Sequence, residues 1–116
     1  MDIRKYDIVQ ADLGDTTIGS EQGGIRPVLI IQNDVGNIHS TTTIVIPLSS
    51  RIKSLRQPTH TLIHKSRETG LKTDSVLLGE QMRVISSQRI IKKIGTVTDE
   101  IERSEIRRVY EANFGE

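Results

Sequence analysis

Short runs of apolar, mostly β-branched residues recur along the chain, with turn-forming residues between them. Runs of this kind at close spacing predict β-strands. The pattern predicts six strands, at Tyr6–Ala11, Pro27–Gln32, Thr42–Leu48, Thr59–Ile63, Ser75–Leu78 and Met82–Ile85. The polar segment Asn33–Asn37, after the second run, is predicted to form a turn.

A short helix is predicted over Ser87–Ile94, because Ser86 or Ser87 can cap its N-terminus and Gly95 can end it. Many short strands with little helix between them predict a small, strongly curved barrel.

The last part of the chain predicts a longer helix, Glu100–Asn113. Asp99 is its predicted N-cap, Glu102 stands three residues later as in a capping box, and Asp99 and Arg103 form a favourable i,i+4 pair. Helical spacing gives this helix an apolar side made of Ile101, Ile106, Val109, Tyr110 and Phe114. The chain is therefore predicted to be mainly β, with short helices and a C-terminal α-helix.

The composition limits the size of the core. At 116 residues the chain is expected to form one domain over residues 1–116, but only 34% of the residues are hydrophobic and there is no Trp. A lean core favours an additional interface between copies of the chain. No cysteine is present for a disulfide or a thiolate metal site. No segment has the features of a signal peptide or a membrane span, so we expect a cytoplasmic protein that does not bind membranes.

Charge is distributed unevenly, although the net charge is only +1. Residues 51–93 contain ten basic and three acidic residues, whereas the segments before and after are each net acidic. A basic middle third is a patch that would attract a polyanion, and an ordinary solvated surface is the alternative.

The segment Gly19–Pro27 carries the first candidate chemistry. Its glycines allow a tight turn, and Pro27 favours an extended Arg26 at the start of an apolar strand. Arg26 is a permanent cation whose planar donors suit a phosphate. The alternative is a glycine-rich hairpin with a surface ion pair between Glu21 and Arg26.

Two further segments offer polar groups at strand ends. Ser49 and Ser50 end an apolar strand just before Arg51, and serine hydroxyls there can hold a phosphate oxygen or form a turn. Gln81, close to Arg83, has the donors and acceptor needed to read a base edge, and a polar strand end is the alternative.

Histidine is scarce in the chain. His60 and His64 are four residues apart, but Pro58 precedes them and the segment alternates like a strand rather than a helix. No further ligands are evident, so we expect no metal site. His60 remains a candidate general acid or base.

Four segments together resemble the MazF/PemK family of toxin endoribonucleases, especially its EndoA-like form. They are GSEQGGIRPVLIIQND (residues 19–34), PTH (58–60), DSVLLGEQMR (74–83) and SSQRIIKKIG (86–95). The resemblance covers nearly the whole chain. It implies an SH3-like barrel that forms a homodimer and cleaves single-stranded RNA, such as mRNA, without a metal or cofactor. It also implies an antitoxin protein that blocks the RNA groove.

The resemblance implies roles for individual residues. Arg26 matches the catalytic arginine of the GG-x-RP motif, Ser49 the catalytic threonine or serine, and Glu21 lines the same cleft. The segment Asp15–Ser20 corresponds to a mobile loop that closes over the substrate. The residues expected to contact RNA are Gln81, Gln22, Ser50, Arg51 and Arg83.

Two positions depart from the family pattern. Ser49 replaces the more usual threonine and keeps the hydroxyl group, so activity is expected to survive. Gly79 stands where relatives often carry a larger aliphatic residue, which affects the expected base preference near Gln81.

The expected reaction is attack of the ribose 2′-OH on the adjacent phosphorus, with Arg26 and Ser49 stabilising the phosphate. Glu21 is the favoured proton acceptor and His60 the second choice, because arginine is always protonated. A gyrase poison like CcdB and an inactive RNA-binding barrel are the alternatives. CcdB-type poisons end in a Trp-Gly-Ile pattern that this chain lacks.

Overall fold

The computed structural model describes residues 2–51 and 54–115. Within them the chain is mainly β, with two α-helices and two single 3₁₀ turns. The strands are β1 (Asp7–Asp12), β2 (Ile25–Ile30), β3 (Thr42–Ser49), β4 (His60–Ile63), β5 (Ser75–Leu78), β6 (Arg83–Ser86) and β7 (Ile90–Thr96). The helices are α1 (Asp34–His39) and α2 (Glu100–Glu111), and the 3₁₀ turns are Gly79–Gln81 and Ser87–Arg89.

The seven strands form an antiparallel sheet in the order β4-β5-β3-β2-β1-β7, with β6 also paired to β3. β3 is shared among three neighbours, because its first half pairs with β6, its middle with β2 and its end with β5. This sharing curves the sheet. The end strands β4 and β7 share no ladder in the described residues, but the backbone N–H of Thr96 donates to the Glu68 carbonyl at 2.8 Å. The result is an open SH3-like barrel, as the sequence predicts.

Apolar side chains pack on both faces of the sheet. One cluster includes Ile8, Leu29 and Ile46, which lie opposite one another across β1, β2 and β3, and α2 covers it with Ile106 and Val109. The second cluster, on the other face, is made of Ile3, Val9, Ala11, Leu13, Val28, Ile30, Val45 and Ile85. Alternation along the strands thus supplies two small cores rather than one large one.

The predicted helix over Ser87–Ile94 is wrong. Ser86 does cap a helical turn, since its side chain accepts from the N–H of Gln88, but that turn is a single 3₁₀ turn. The chain then continues as β7, which pairs with β1 along Ile90–Thr96. Pairing with a distant strand outweighs the local helical spacing of the apolar residues.

The predicted turn at Asn33–Asn37 is instead the start of α1. Asn33 is the N-cap, and its side chain accepts from the N–H of Gly36 at 2.8 Å. No residue of this helix is buried. Polar contacts attach it instead: the Asp34 carboxylate accepts from the Lys5 N–H at 2.7 Å, and Asn37 accepts from the Thr43 hydroxyl at 2.8 Å.

The C-terminal helix is confirmed with its N-cap, because the Asp99 side chain accepts from the N–H of Glu102 at 2.9 Å. The expected pairing of Asp99 with Arg103 is wrong. Arg103 donates to the Val97 carbonyl at 2.8 Å, and its guanidinium lies 4.4 Å from the centre of the Tyr6 ring. Glu102 does not complete a capping box and accepts from the His64 N–H.

The apolar side of α2 is narrower than expected. Ile106 and Val109 are fully buried, whereas Ile101 and Phe114 are largely exposed. Neither helix in the described part of the chain has the length and apolar composition needed to span a membrane.

Candidate functional site

The loop between β1 and β2 separates two clefts. Gly24 anchors its base, since the Leu13 N–H donates to the Gly24 carbonyl at 2.9 Å and the Gly24 N–H donates to Gly14 at 2.6 Å. Four of its residues line both clefts: Gly14, Asp15, Glu21 and Gln22. We call the cleft that contains Arg26 the arginine cleft and the cleft that contains Gln81 the glutamine cleft.

The arginine cleft has a volume of about 770 Å³ and is lined by both Arg26 and Ser49. Arg26 lies in β2, opposite Ala11 of β1, and is partly buried. Its Nε donates to the Gly23 carbonyl at 2.9 Å and its Nη1 donates to Gln22 Oε1. These bonds hold the guanidinium in place and leave Nη2, which has no hydrogen-bond partner in the described residues, to donate to an anion in the cleft.

Ser49 ends β3 and is only 5% exposed. Its Oγ accepts from the backbone N–H of Arg51 at 3.3 Å, so the hydroxyl proton remains available to a second partner. Ser50 and Arg51 are exposed and line the same cleft. The end of β3 therefore presents one hydroxyl and one cation to the cleft that Arg26 also lines.

The glutamine cleft, of about 540 Å³, is lined by Gln81 and two arginines, Arg83 and Arg89. Gln81 Nε2 donates to the Ser20 carbonyl at 3.3 Å, which joins the 3₁₀ turn to the β1–β2 loop. Arg89 Nη1 donates to the Asp12 carbonyl at 3.1 Å. The Oε1 of Gln81 can therefore accept a hydrogen bond from a ligand in this cleft, and its second amide proton can donate one.

Gly79 brings α2 against the turn that carries Gln81. Its N–H donates to the Thr59 carbonyl and its carbonyl accepts from Asn113 Nδ2, both at 2.8 Å. A Cβ at this position would lie 2.4 Å from Val109 Cγ1 and 2.6 Å from the Thr59 oxygen. A side chain here would displace α2 or the Thr59 backbone, so the glycine is required by this packing.

His60 does not face either cleft. Its ring is buried, with Nδ1 at 2.7 Å from the Ser54 carbonyl and Nε2 at 2.9 Å from Glu80 Oε2. The Thr59 hydroxyl donates to the other oxygen of Glu80 at 3.2 Å. Because both ring nitrogens are already engaged, this position does not support His60 as the acid or base of a reaction in the clefts.

The structure divides the predicted site residues between the two clefts. Arg26, Ser49, Ser50 and Arg51 line the arginine cleft, Gln81 and Arg83 line the glutamine cleft, and Glu21 and Gln22 line both. The alternative ion pair between Glu21 and Arg26 does not form, because Glu21 Oε1 accepts from the Ile18 N–H at 2.8 Å.

Sequence reasoning missed three cations. Lys72 and Lys92 line the arginine cleft, and Arg89 lines the glutamine cleft. The charge of residues 51–93 was the only signal for them, and the incorrect helix over Ser87–Ile94 concealed the strand position of Lys92. No group of three or more residues able to hold a metal ion occurs among the residues that the structure describes.

Residues 4–112 match the family of PemK-like, MazF-like toxins of type II toxin–antitoxin systems. Endoribonuclease EndoA of Bacillus subtilis is 46% identical over 101 residues, which are 87% of this chain and 85% of that protein. Endoribonuclease MazF of Staphylococcus saprophyticus is 42% identical over 113 residues, which are 97% of this chain and 92% of that protein.

Solved structures show the same fold at lower identity. MazF of Deinococcus radiodurans has a TM-score of 0.81 at 19% identity and covers 100% of this chain and 99% of its own. A mycobacterial endoribonuclease in complex with its cognate antitoxin has a TM-score of 0.78 at 18% identity, with coverage of 97% and 95%. At these identities the likeness is one of fold.

Proposed function

Because the chain belongs to the PemK-like, MazF-like toxins of type II toxin–antitoxin systems, we propose that it is an endoribonuclease that cuts single-stranded RNA at specific sequences. The two relatives described above carry the name endoribonuclease. The proposed reaction needs neither a metal ion nor a cofactor, and its proposed physiological substrate is mRNA.

The observation that carries the proposal is the placement of Arg26 and Ser49 in one cleft. A guanidinium with Nη2 unoccupied and a hydroxyl with a proton to donate can both bind the non-bridging oxygens of a phosphate. Donors that are fixed before the substrate arrives stabilise developing charge without reorganisation. The arginine cleft is therefore the proposed position of the scissile phosphate.

RNA supplies the nucleophile of the proposed reaction. The ribose 2′-oxygen attacks the adjacent phosphorus, the bond from phosphorus to the 5′-oxygen breaks, and the products are a 2′,3′-cyclic phosphate and a 5′-hydroxyl. The 2′-OH gives up a proton and the leaving 5′-oxygen takes one up. Arg26 and Ser49 stabilise the phosphoryl oxygens, and Glu21 accepts the proton of the 2′-OH.

Base recognition is proposed for the glutamine cleft. The Oε1 of Gln81 and its second amide proton can pair with a base edge, and Gln22 and Arg83 line the same cleft. Ser50 and Arg51 contact the backbone next to the scissile phosphate. The loop at Asp15–Ser20, whose Ser20 carbonyl accepts from Gln81, closes over the bound strand.

The proposed partners follow from the family and from the surface. A structural relative is solved with its cognate antitoxin, and we propose an antitoxin protein that covers the clefts of this chain. A homodimer is proposed because several large apolar side chains are exposed. The proposed site of action is the cytoplasm, where mRNA is translated.

The test is to incubate the purified protein with a mixed-sequence single-stranded RNA, and with the DNA of the same sequence, in the presence of EDTA. We expect RNA cleavage at a defined sequence, with cyclic phosphate and 5′-OH ends, and intact DNA. Arg26→Ala is expected to lower the single-turnover rate by about 10²- to 10³-fold, as for the loss of one donor to a developing anion.

Arg67→Ala is the matched control, because Arg67 is exposed and lines neither cleft. It is expected to cut at the wild-type rate, and Ser49→Thr is expected to keep most of the activity because the hydroxyl remains. RNA that stays intact with EDTA, or an Arg26→Ala variant as active as the Arg67→Ala variant, would refute the proposal.

A further inference from the structure

The arginine cleft is also lined by two lysines that the proposed chemistry does not use. Lys72 lies in the segment between β4 and β5, and Lys92 lies in β7. Both side chains are exposed, and neither has a carboxylate within 4.0 Å among the described residues. The neighbouring Lys93, in contrast, pairs with the buried Asp7 at 3.3 Å.

The strand register places Lys92 relative to Arg26. Lys92 lies opposite Gln10 of β1, and Gln10 lies opposite Pro27 of β2, the residue after Arg26. Two strand spacings separate Lys92 from Pro27, which is about 10 Å. Lys92 is therefore close enough for one RNA strand to contact it and Arg26 together.

The segment that carries Lys72 is fixed against β7. Gly70 has a φ of +67°, and a Cβ there would lie 2.2 Å from the Ile94 carbonyl oxygen, so only glycine allows this approach. The Lys65 N–H donates to the Asp74 carboxylate at 2.8 Å, and this bond joins the two ends of the segment. Lys72 and Lys92 therefore lie on two segments that contact each other directly, at Gly70 and Ile94.

Lys72 and Lys92 are both positively charged. The two carboxylates that line the arginine cleft, Asp15 and Glu21, both belong to the β1–β2 loop and not to the segments that carry the lysines. Lysine acts as a point charge with freely rotating donors, which suits a phosphate and carries no base preference. Gln81, the proposed base-reading residue, lies in the other cleft.

We propose that Lys72 and Lys92 form a second phosphate-binding wall, which holds the RNA backbone on the side of the scissile phosphate away from Gln81. This inference rests on the proposed function, because it requires single-stranded RNA as the ligand. Sequence is read in the glutamine cleft, whereas the lysine wall binds any sequence. The strand then crosses the β1–β2 loop, with bases bound on one side and phosphates on the other.

The test measures binding rather than cleavage. Fluorescence anisotropy of single-stranded RNAs in which every 2′-OH is methylated gives the association constant of the full-length protein at several KCl concentrations. Each phosphate contact to a single strand contributes about 0.7 to the slope of log K against log [KCl]. Lys72→Gln and Lys92→Gln are each expected to lower that slope by about 0.7, and the double variant by about 1.4.

Lys65→Gln is the matched control, because it removes the same charge from an exposed residue of the same segment that lines neither cleft. It is expected to keep the wild-type slope. The two cleft variants are expected to weaken binding by the same factor for RNAs of different sequence. With cleavable RNA they are expected to raise KM and to leave kcat unchanged, since both lysines bind ground state and transition state alike.

The outcomes separate the two proposals. If the wild-type protein binds no methylated RNA and cuts no ordinary RNA, the proposed function fails. If the wild type binds but the slopes of Lys72→Gln and Lys92→Gln equal that of Lys65→Gln, only the lysine wall is refuted. A loss of affinity confined to one RNA sequence would also refute it.

Discussion

Glu21 lines both clefts with an exposed side chain, and one of its carboxylate oxygens accepts from the Ile18 N–H. The second oxygen can take the proton of an attacking 2′-OH. Glu21→Gln keeps an acceptor for Ile18 but cannot accept a proton. We expect the single-turnover rate at saturating RNA to fall by about 10²- to 10⁴-fold.

Asp15→Asn is the control for this change, because Asp15 is the other carboxylate that lines both clefts. It is expected to lower the rate far less, because Asp15 is not the proposed proton acceptor. If Glu21→Gln cuts RNA at the wild-type rate over the whole pH range, Glu21 is not the proton acceptor. The geometry at His60 offers no substitute, since its ring lines neither cleft and both of its nitrogens already have partners.

Single residues were predictable where their chemistry is local. Arg26 stood out because a glycine pair and a proline fix the backbone around it, and Asp99 because a helix cap depends on its nearest neighbours. The partners of Arg26 were not predictable. Gln22 Oε1 accepts from Arg26 Nη1, whereas Glu21 Oε1 accepts from the Ile18 N–H.

The segment between β4 and β5 is closed by Asp74. The pKa of this carboxyl group lies below its ordinary value of 3.8, chiefly because the Lys65 N–H donates to it and also because His64 is near. A lowered pKa in the folded state stabilises the fold at pH values above the unfolded-state pKa, about 3.9. That contribution is lost as the pH falls through the folded-state pKa. Asp74→Asn is therefore expected to lower the urea midpoint slightly at neutral pH.

In acid, below the lowered pKa, the urea midpoints of the Asp74→Asn variant and the wild type are expected to converge. Glu68→Gln removes an equal charge from an exposed side chain of the same segment, and it is expected to show no such convergence. A difference between Asp74→Asn and wild type that grows toward low pH would contradict this account. Equilibrium urea curves at a series of pH values measure both.

Whole elements were predictable where the pattern of one segment decides them. The strands at Thr42–Ser49 and Ser75–Leu78 lie within a residue of their predicted bounds. Both are short apolar runs, whose length suits a buried strand and is too short for a helix. The residues of β7 have helical spacing, and only the ladder with β1, more than 75 residues earlier, makes them a strand. Such a partner is not visible in a local pattern.

For the molecule as a whole, the uneven charge of the sequence corresponds to the two clefts. Five of their cations come from residues 51–93: Arg51, Lys72, Arg83, Arg89 and Lys92. The division into two clefts was not predictable, because it depends on how the β1–β2 loop folds back on Gly14 and Gly24. The residues proposed from the sequence line these clefts, but their division between two clefts was not predicted.

The short helix α1 lies on the surface and packs no buried side chain against the rest of the molecule. α1 has six residues and none is buried, while Val35 and Ile38, one turn apart, are each 70% exposed. A helix of this length gains stability mainly by packing an apolar face. In a homodimer a second copy would cover this face. We therefore expect sedimentation to give twice the 13.0 kDa mass of one chain at micromolar concentration.

The double variant Val35→Glu/Ile38→Glu is expected to sediment as a monomer, because dimerisation would bury two charges without partners. Ile101→Glu is the control: Ile101 is 77% exposed, but its helix is already anchored by Ile106 and Val109. It is expected to remain dimeric. If the wild type is monomeric at every concentration, the homodimer is refuted; if only Ile101→Glu dissociates, the interface lies on α2. In either case the α1 face would need another partner, and the antitoxin would be the first to test.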